Sequence, residues 1–173
     1  ETITGTNNTG DMVGDTLIGT SGGDVIFGLA GNDRIEGGYG DDEIHAGDGS
    51  DHLVGGFGED VLYGGAGDDY LVGHNDGGLS EYNGEGIADD ELHGGDGNDT
   101  LIAHTGSTVL YGDDGDDYFD TSPTDGFGER FTVEAYGGNG NDTFRSGSNW
   151  SHIISFYGEA GADTGSWHGV VGF

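Results

Sequence analysis

The sequence predicts an all-β fold, a parallel β-solenoid wound from flattened coils of eighteen residues with two short strands and two turns per coil. Three observations predict it. A nine-residue unit repeats without a gap from Gly10 to Val72, glycine recurs at its first, second and fourth places, and a large apolar residue fills its eighth place every time.

Residues 10–72 divide into seven units: GDMVGDTLI, GTSGGDVIF, GLAGNDRIE, GGYGDDEIH, AGDGSDHLV, GGFGEDVLY and GGAGDDYLV. The eighth place reads Leu17, Ile26, Ile35, Ile44, Leu53, Leu62 and Leu71, and the sixth reads Asp15, Asp24, Asp33, Asp42, Asp51, Asp60 and Asp69. Glycines let the backbone turn through positive φ and approach a neighbour closely, while places seven to nine favour strand with one inward side chain. Each unit is therefore a turn plus a short strand.

An insertion at 73–84 (GHNDGGLSEYNG) precedes four further units over 85–120, EGIADDELH, GGDGNDTLI, AHTGSTVLY and GDDGDDYFD, which carry Asp90, Asp99 and Asp117. Thr108 stands in the sixth place of the third. Residues 121–136 hold the sole proline, Pro123, and the FTVEAY alternation, and read as a loop followed by a strand. Residues 137–173 are degenerate repeats and a C-terminal cap: GGNGNDTFR carries Asp142 and Phe144, a strand is expected at 152–156, and GEAGADTGS keeps Asp163 but has Gly165 in the apolar place. The whole of 1–173 is expected to form one roll.

Composition taken without the repeat points elsewhere. Gly contributes 41 residues, Asp and Glu 34, Lys and Arg three, and the net charge is −31, while Leu, Ile, Val and Phe make up about 20% of the chain. Such values normally describe a disordered polyanion. With three cations the chain cannot neutralise phosphates, so nucleic acid and anionic membrane surfaces are poor partners. No apolar run approaches the ~20 residues of a membrane-spanning helix. The absence of cysteine removes disulfides, thiolate metal sites and thiol nucleophiles. Beginning at Glu1 with no apolar leader, the sequence reads as a processed form or an excised fragment.

Stacking the coils puts Asp15, Asp33, Asp51 and Asp69 on one edge and Asp24, Asp42 and Asp60 on the other, at the ~4.8 Å strand spacing. Carboxylates that close repel strongly. A hard divalent cation removes the repulsion, and calcium fits best, because it takes six to eight oxygens in a flexible shell and glycine-rich turns expose carbonyls beside each Asp. Zinc and copper call for imidazole or thiolate clusters that the unit lacks. Roughly ten calcium ions would add on the order of +20 and leave about −11. Folding is then conditional on calcium.

The units GLAGNDRIE, GGFGEDVLY and GGDGNDTLI resemble the RTX (repeats-in-toxin) nonapeptides of hemolysin-type calcium-binding proteins. The resemblance implies a right-handed parallel β-roll, calcium held between neighbouring turns by the sixth-place aspartates and backbone carbonyls, and export from a bacterium by type I secretion. It assigns the metal role to Asp15, Asp24, Asp33, Asp42, Asp51, Asp60, Asp69, Asp90, Asp99, Asp117, Asp142 and Asp163. Val13 and Ala88 replace the fourth-place glycine, and Thr108 and Gly165 break their units, so sites touching these four places depart from the pattern. Relatives usually end in an export signal of several tens of residues, of which WHGVVGF shows only a short apolar end.

Other features have plainer readings. The histidines His45, His52, His74, His93, His104, His152 and His168 include no H-E-x-x-H pair, and His45, His52 and His93 at outward places seven or nine are expected to be solvated. The serines lack a G-x-S-x-G elbow, and acid pairs such as Asp41–Asp42, Asp68–Asp69 and Asp116–Asp117 fall at fixed repeat places instead of forming a glycosidase dyad. The third and fifth places form no regular Thr or Asn ladder of the kind an ice-binding face needs. Outward pairs Val25/Phe27, Val61/Tyr63, Tyr70/Val72 and Val109/Tyr111 are ordinary for a sheet surface, or else mark a docking face for another copy or domain. An open solenoid also has bare edge strands, and ETITGTNNT, nearly in frame, is a poor cap.

The reading is a non-enzymatic, calcium-dependent extracellular structural, adhesive or surface-assembly protein, partnered by calcium and by copies of itself or a cell-surface or matrix component. The alternative is the C-terminal calcium module of a larger secreted enzyme or toxin, such as a protease, epimerase or lipase. A gene product little longer than this chain favours the first, and a large N-terminal domain the second.

Overall fold

In a computed structural model the chain is described over residues 1–5, 13–74, 89–103, 106–122, 132–147, 153–166 and 170–171. Among the described residues seventeen strands follow one another: β1 Thr2–Thr4, β2 Thr16–Ile18, β3 Val25–Ala30, β4 Arg34–Tyr39, β5 Glu43–Asp48, β6 His52–Phe57, β7 Val61–Ala66, β8 Tyr70–His74, β9 Glu91–Asp96, β10 Thr100–Ile102, β11 Thr108–Asp114, β12 Tyr118–Thr121, β13 Thr132–Tyr136, β14 Thr143–Ser146, β15 Ile153–Tyr157, β16 Thr164–Ser166 and β17 Val170–Val171. Odd strands form one nine-stranded sheet and even strands one eight-stranded sheet, and every pairing is parallel. The chain is an all-β parallel β-roll.

The eighth-place residues stack in register across each sheet. Ile26, Ile44, Leu62, Leu92 and Leu110 line one side of the core, and Ile35, Leu53, Leu71, Leu101 and Phe119 the other, all fully buried. Each buried Ile or Leu contributes roughly 1.5–3 kcal/mol. The core is little more than these two facing columns, so what holds the turns matters as much as what fills the centre.

Strands are longer than the unit predicts. β4 runs through Arg34, Ile35 and Glu36 and on into Gly37, Gly38 and Tyr39, the first three places of the next unit, so the turn occupies only places four to six. Positive φ belongs to places two and four, as at Gly47 (φ 116°) and Gly49 (φ 148°), and not to place one. The first-place glycine serves close approach instead: a Cβ on Gly37 would meet a carboxylate oxygen of Asp42.

The outer face of the nine-stranded sheet corrects the expectation of solvated histidines. Ninth-place rings Phe27, His45, Tyr63, His93, Tyr111, Tyr136 and Tyr157 form one continuous stack with centroids 4.6–5.1 Å apart. Seventh-place neighbours alternate Val25, Glu43, Val61, Glu91, Val109 and Glu134. His45 Nε2 bonds Glu43 at 2.7 Å, His93 Nε2 bonds Glu91 at 3.0 Å, and the Tyr136 hydroxyl donates to Glu134 at 3.3 Å. Parallel in-register pairing forces identical places into contact, so the imidazoles are half-buried between aromatic faces. On the other sheet His52 stacks on Tyr70 at 5.0 Å, and Val72, expected to face outward, is buried with Val54 and Ile102. His74 is buried, with its ring edge-on to Phe57. His104, His152, His168, Ala88 and Pro123, with most of the 73–84 insertion, lie outside the described residues.

Candidate metal centre

The sixth-place aspartates fall into two columns, one along each turn edge. In the first, the amide of each Asp donates to Oδ1 of the Asp one coil later, through Asp15, Asp33, Asp51, Asp69, Asp99, Asp117, Asp142 and Asp163, at 2.6–3.1 Å. In the second, the same rungs join Asp24, Asp42, Asp60 and Asp90 at 2.8–3.1 Å. All twelve sequence-predicted residues are thus brought into line, and all but Asp15 and Asp163 are buried.

In every carboxylate after the first of each column, one oxygen, Oδ1, is spent on its rung. The other, Oδ2, is buried and accepts no hydrogen bond in Asp33, Asp42, Asp51, Asp60, Asp69, Asp90, Asp99, Asp117 and Asp142. Asp24 differs: Oδ2 takes the Thr20 amide and hydroxyl at 2.6 and 2.9 Å, Oδ1 lies 2.8 Å from the Glu1 α-amino group, and these partners lower its pKa. A buried carboxylate oxygen with no donor is costly unless a cation meets it.

The pKa values report this cost. Burial first, and neighbouring carboxylates after it, push Asp42, Asp51 and Asp99 up to about 6, Asp69, Asp90 and Asp117 to about 7, and Asp60 to about 8. Asp142 is raised for the same reasons. The amide rung pulls the other way and is outweighed.

Carbonyls complete an oxygen-rich edge. A Cβ on the fourth-place Gly115 or Gly140 would overlap the carbonyl oxygen of Gly97 or Gly115, one coil earlier, and on the first-place Gly55 or Gly94 it would meet both the unit's own Asp Oδ2 and the carbonyl of Gly73 or Gly112. Among the described residues no three His, Asp or Glu side chains converge on one point. A cation here would therefore draw on paired-coil carboxylates and backbone carbonyls together, a hard, all-oxygen donor set that suits calcium.

A second set of side-chain rungs escaped the sequence reading. Fifth-place side chains accept the fifth-place amide of the following coil: Asn32 from Ser50, Asp41 from Glu59, Asp68 from Asn98, Asn98 from Asp116 and Asp116 from Asn141, at 2.7–3.1 Å. Their direction along the roll is opposite to that of the sixth-place rungs. The signal was the run of Asn, Asp, Ser and Glu at place five, whose side chains are short enough to cap an amide one strand away.

Among the described residues no helix is long and apolar enough to cross a membrane. Neither the curated proteins nor the solved structures contain a match to this chain. The model of the RTX calcium-binding nonapeptide repeat matches residues 10–44, 18–53, 45–77, 93–122 and 134–149, about two thirds of the chain, and that repeat is a structural calcium-binding unit with no catalytic role. With its in-register coils and two aspartate columns, the chain belongs to the RTX calcium-binding nonapeptide repeat family.

Proposed function

We propose that this chain is a calcium-switched extracellular structural module, a single roll over 1–173 whose coils are locked when calcium enters the turns through Asp15, Asp24, Asp33, Asp42, Asp51, Asp60, Asp69, Asp90, Asp99, Asp117, Asp142 and Asp163. The observation that carries the proposal is the set of nine buried Oδ2 atoms with no donor. Calcium supplies the positive charge these oxygens lack. It binds the rolled state and not the open chain, so stability rises with its concentration and the chain folds where calcium is plentiful, outside the cell.

Adhesion or assembly would use the outer face of the nine-stranded sheet, where Val25/Phe27, Val61/Tyr63 and Val109/Tyr111 lie side by side and half-exposed along the ring stack. Calorimetric titration of the metal-free chain is expected to show roughly ten calcium ions taken up together with folding. Light scattering of the loaded protein then tests assembly: oligomers support it, and a strict monomer at high concentration removes it while leaving the calcium switch intact.

A further inference from the structure

We propose that the two turn edges differ in their demand for calcium: the edge of Asp15 to Asp163 takes metal along its whole length, whereas the opposite edge takes it only as far as Asp90 and is closed beyond that by an apolar column. This deepens the calcium reading above and rests on it.

The register of the nine-stranded sheet extends the short column past Asp90. Glu91 pairs with Val109, so Thr108 occupies the place one coil beyond Asp90; Thr108 pairs with Val133, and Val133 with Ile154. The sixth place on this edge therefore runs Asp24, Asp42, Asp60, Asp90, Thr108, Val133, Ile154. All seven are buried, with Thr108 at 1%, Val133 at 0% and Ile154 at 6% exposure. The same buried position passes from carboxylate to hydroxyl to aliphatic. Thr108 Oγ1, buried and without a hydrogen-bond partner, is the last side-chain oxygen of the column.

Val133 and Ile154 offer a cation no side-chain oxygen and carry no charge needing one, so this half of the edge is held by packing. The core behind it changes to match. Phe119 and Phe144 replace the Leu and Ile of earlier coils and close around Phe156, with centroids 5.8 and 5.2 Å away. On the opposite edge the carboxylates continue unbroken through Asp99, Asp117, Asp142 and Asp163. Gaps between consecutive carboxylates number seven on the long column and three on the short one.

A crystal structure of the full chain grown with calcium, and with strontium as an anomalous marker, tests this directly. Ions are expected along the long edge out to Asp163, and on the short edge none beyond the gap between Asp60 and Asp90. Ions seated beside Val133 and Ile154 would overturn the inference and leave the calcium reading standing. Ions on neither edge would overturn both. In solution, Thr108→Asp extends the short column by one rung and is expected to raise the calorimetric calcium count by one, while an unchanged count in a folded variant contradicts the inference.

Discussion

The amide of Asp60 donates to Oδ1 of Asp90 at 3.1 Å, across thirty residues of sequence, in the same geometry that joins Asp42 to Asp60 across eighteen. The carboxylate column is thus unbroken between Asp60 and Asp90 despite the longer stretch of sequence between them. Asp60 is also the aspartate raised furthest to a stated value, about 8, because burial strips its water and Asp90 and Asp42 lie close by. Removing that charge has opposite effects with and without calcium. Asp60→Asn keeps an oxygen for the Asp42 amide, so at pH 8 in chelator the variant is expected to be more stable than the parent by about 1–3 kcal/mol. In calcium it is expected to bind fewer ions, because Asp60 borders two gaps of the column, and denaturant melts beside calorimetry check both signs.

Acid should substitute in part for calcium. The folded pKa values of 6 to 8 exceed the ordinary aspartate value of 3.8, so the metal-free roll holds protons that the open chain releases. This contribution is fully present below about pH 3.8 and is lost as pH rises through 6 to 8. In chelator, far-UV circular dichroism is expected to show more β-structure at pH 4.5 than at pH 8. Calcium affinity should run the other way, weakening as pH falls through the same window, because protons compete for the same oxygens.

Leu29 sits at a second-place position with φ 85°, where its counterparts Gly47 and Gly65 have φ 116° and 114°. A β-carbon in that region costs about 1–2 kcal/mol, and Leu29 is 41% exposed, so little burial is lost with its side chain. Leu29→Gly is expected to raise stability by about 1 kcal/mol. Gly47→Ala is expected to lower it by more, since the new Cβ would overlap the Leu29 carbonyl. Thermal melts of the two variants in saturating calcium separate these outcomes.

The ring stack gives the roll stiffness that needs no metal. Tyr63 lies between His45 at 4.7 Å and His93 at 4.8 Å. Tyr63→Ala is expected to cost about 1–3 kcal/mol, and Tyr63→Phe almost nothing, because the ring faces and not the hydroxyl carry the contact. Equal melting temperatures for the alanine variant and the parent would show the stack to be incidental.

The core and the two aspartate columns were legible because both obey the nine-residue period: Leu92 and Asp90 can be placed without a coordinate. The stack of Phe27, His45 and Tyr63 was not, since these rings are eighteen residues apart and their Val/Glu alternation has a period of two coils. The end of the short column was hidden too. The sequence between Asp117 and Val133 departs from the nine-residue frame, so Val133 does not count to the sixth place in sequence and reaches it only through its pairing with Thr108. The fifth-place rungs were masked by mixed composition, because Asn32, Asp41 and Asp68 do one task with different side chains.

Whether calcium drives the folding of the roll is decided by far-UV circular dichroism of the full chain at pH 8, recorded in excess chelator and then through a calcium titration. The predicted result is a cooperative change from coil to β as calcium fills the turns. A chain already fully β in chelator, with a spectrum calcium does not alter, would contradict it.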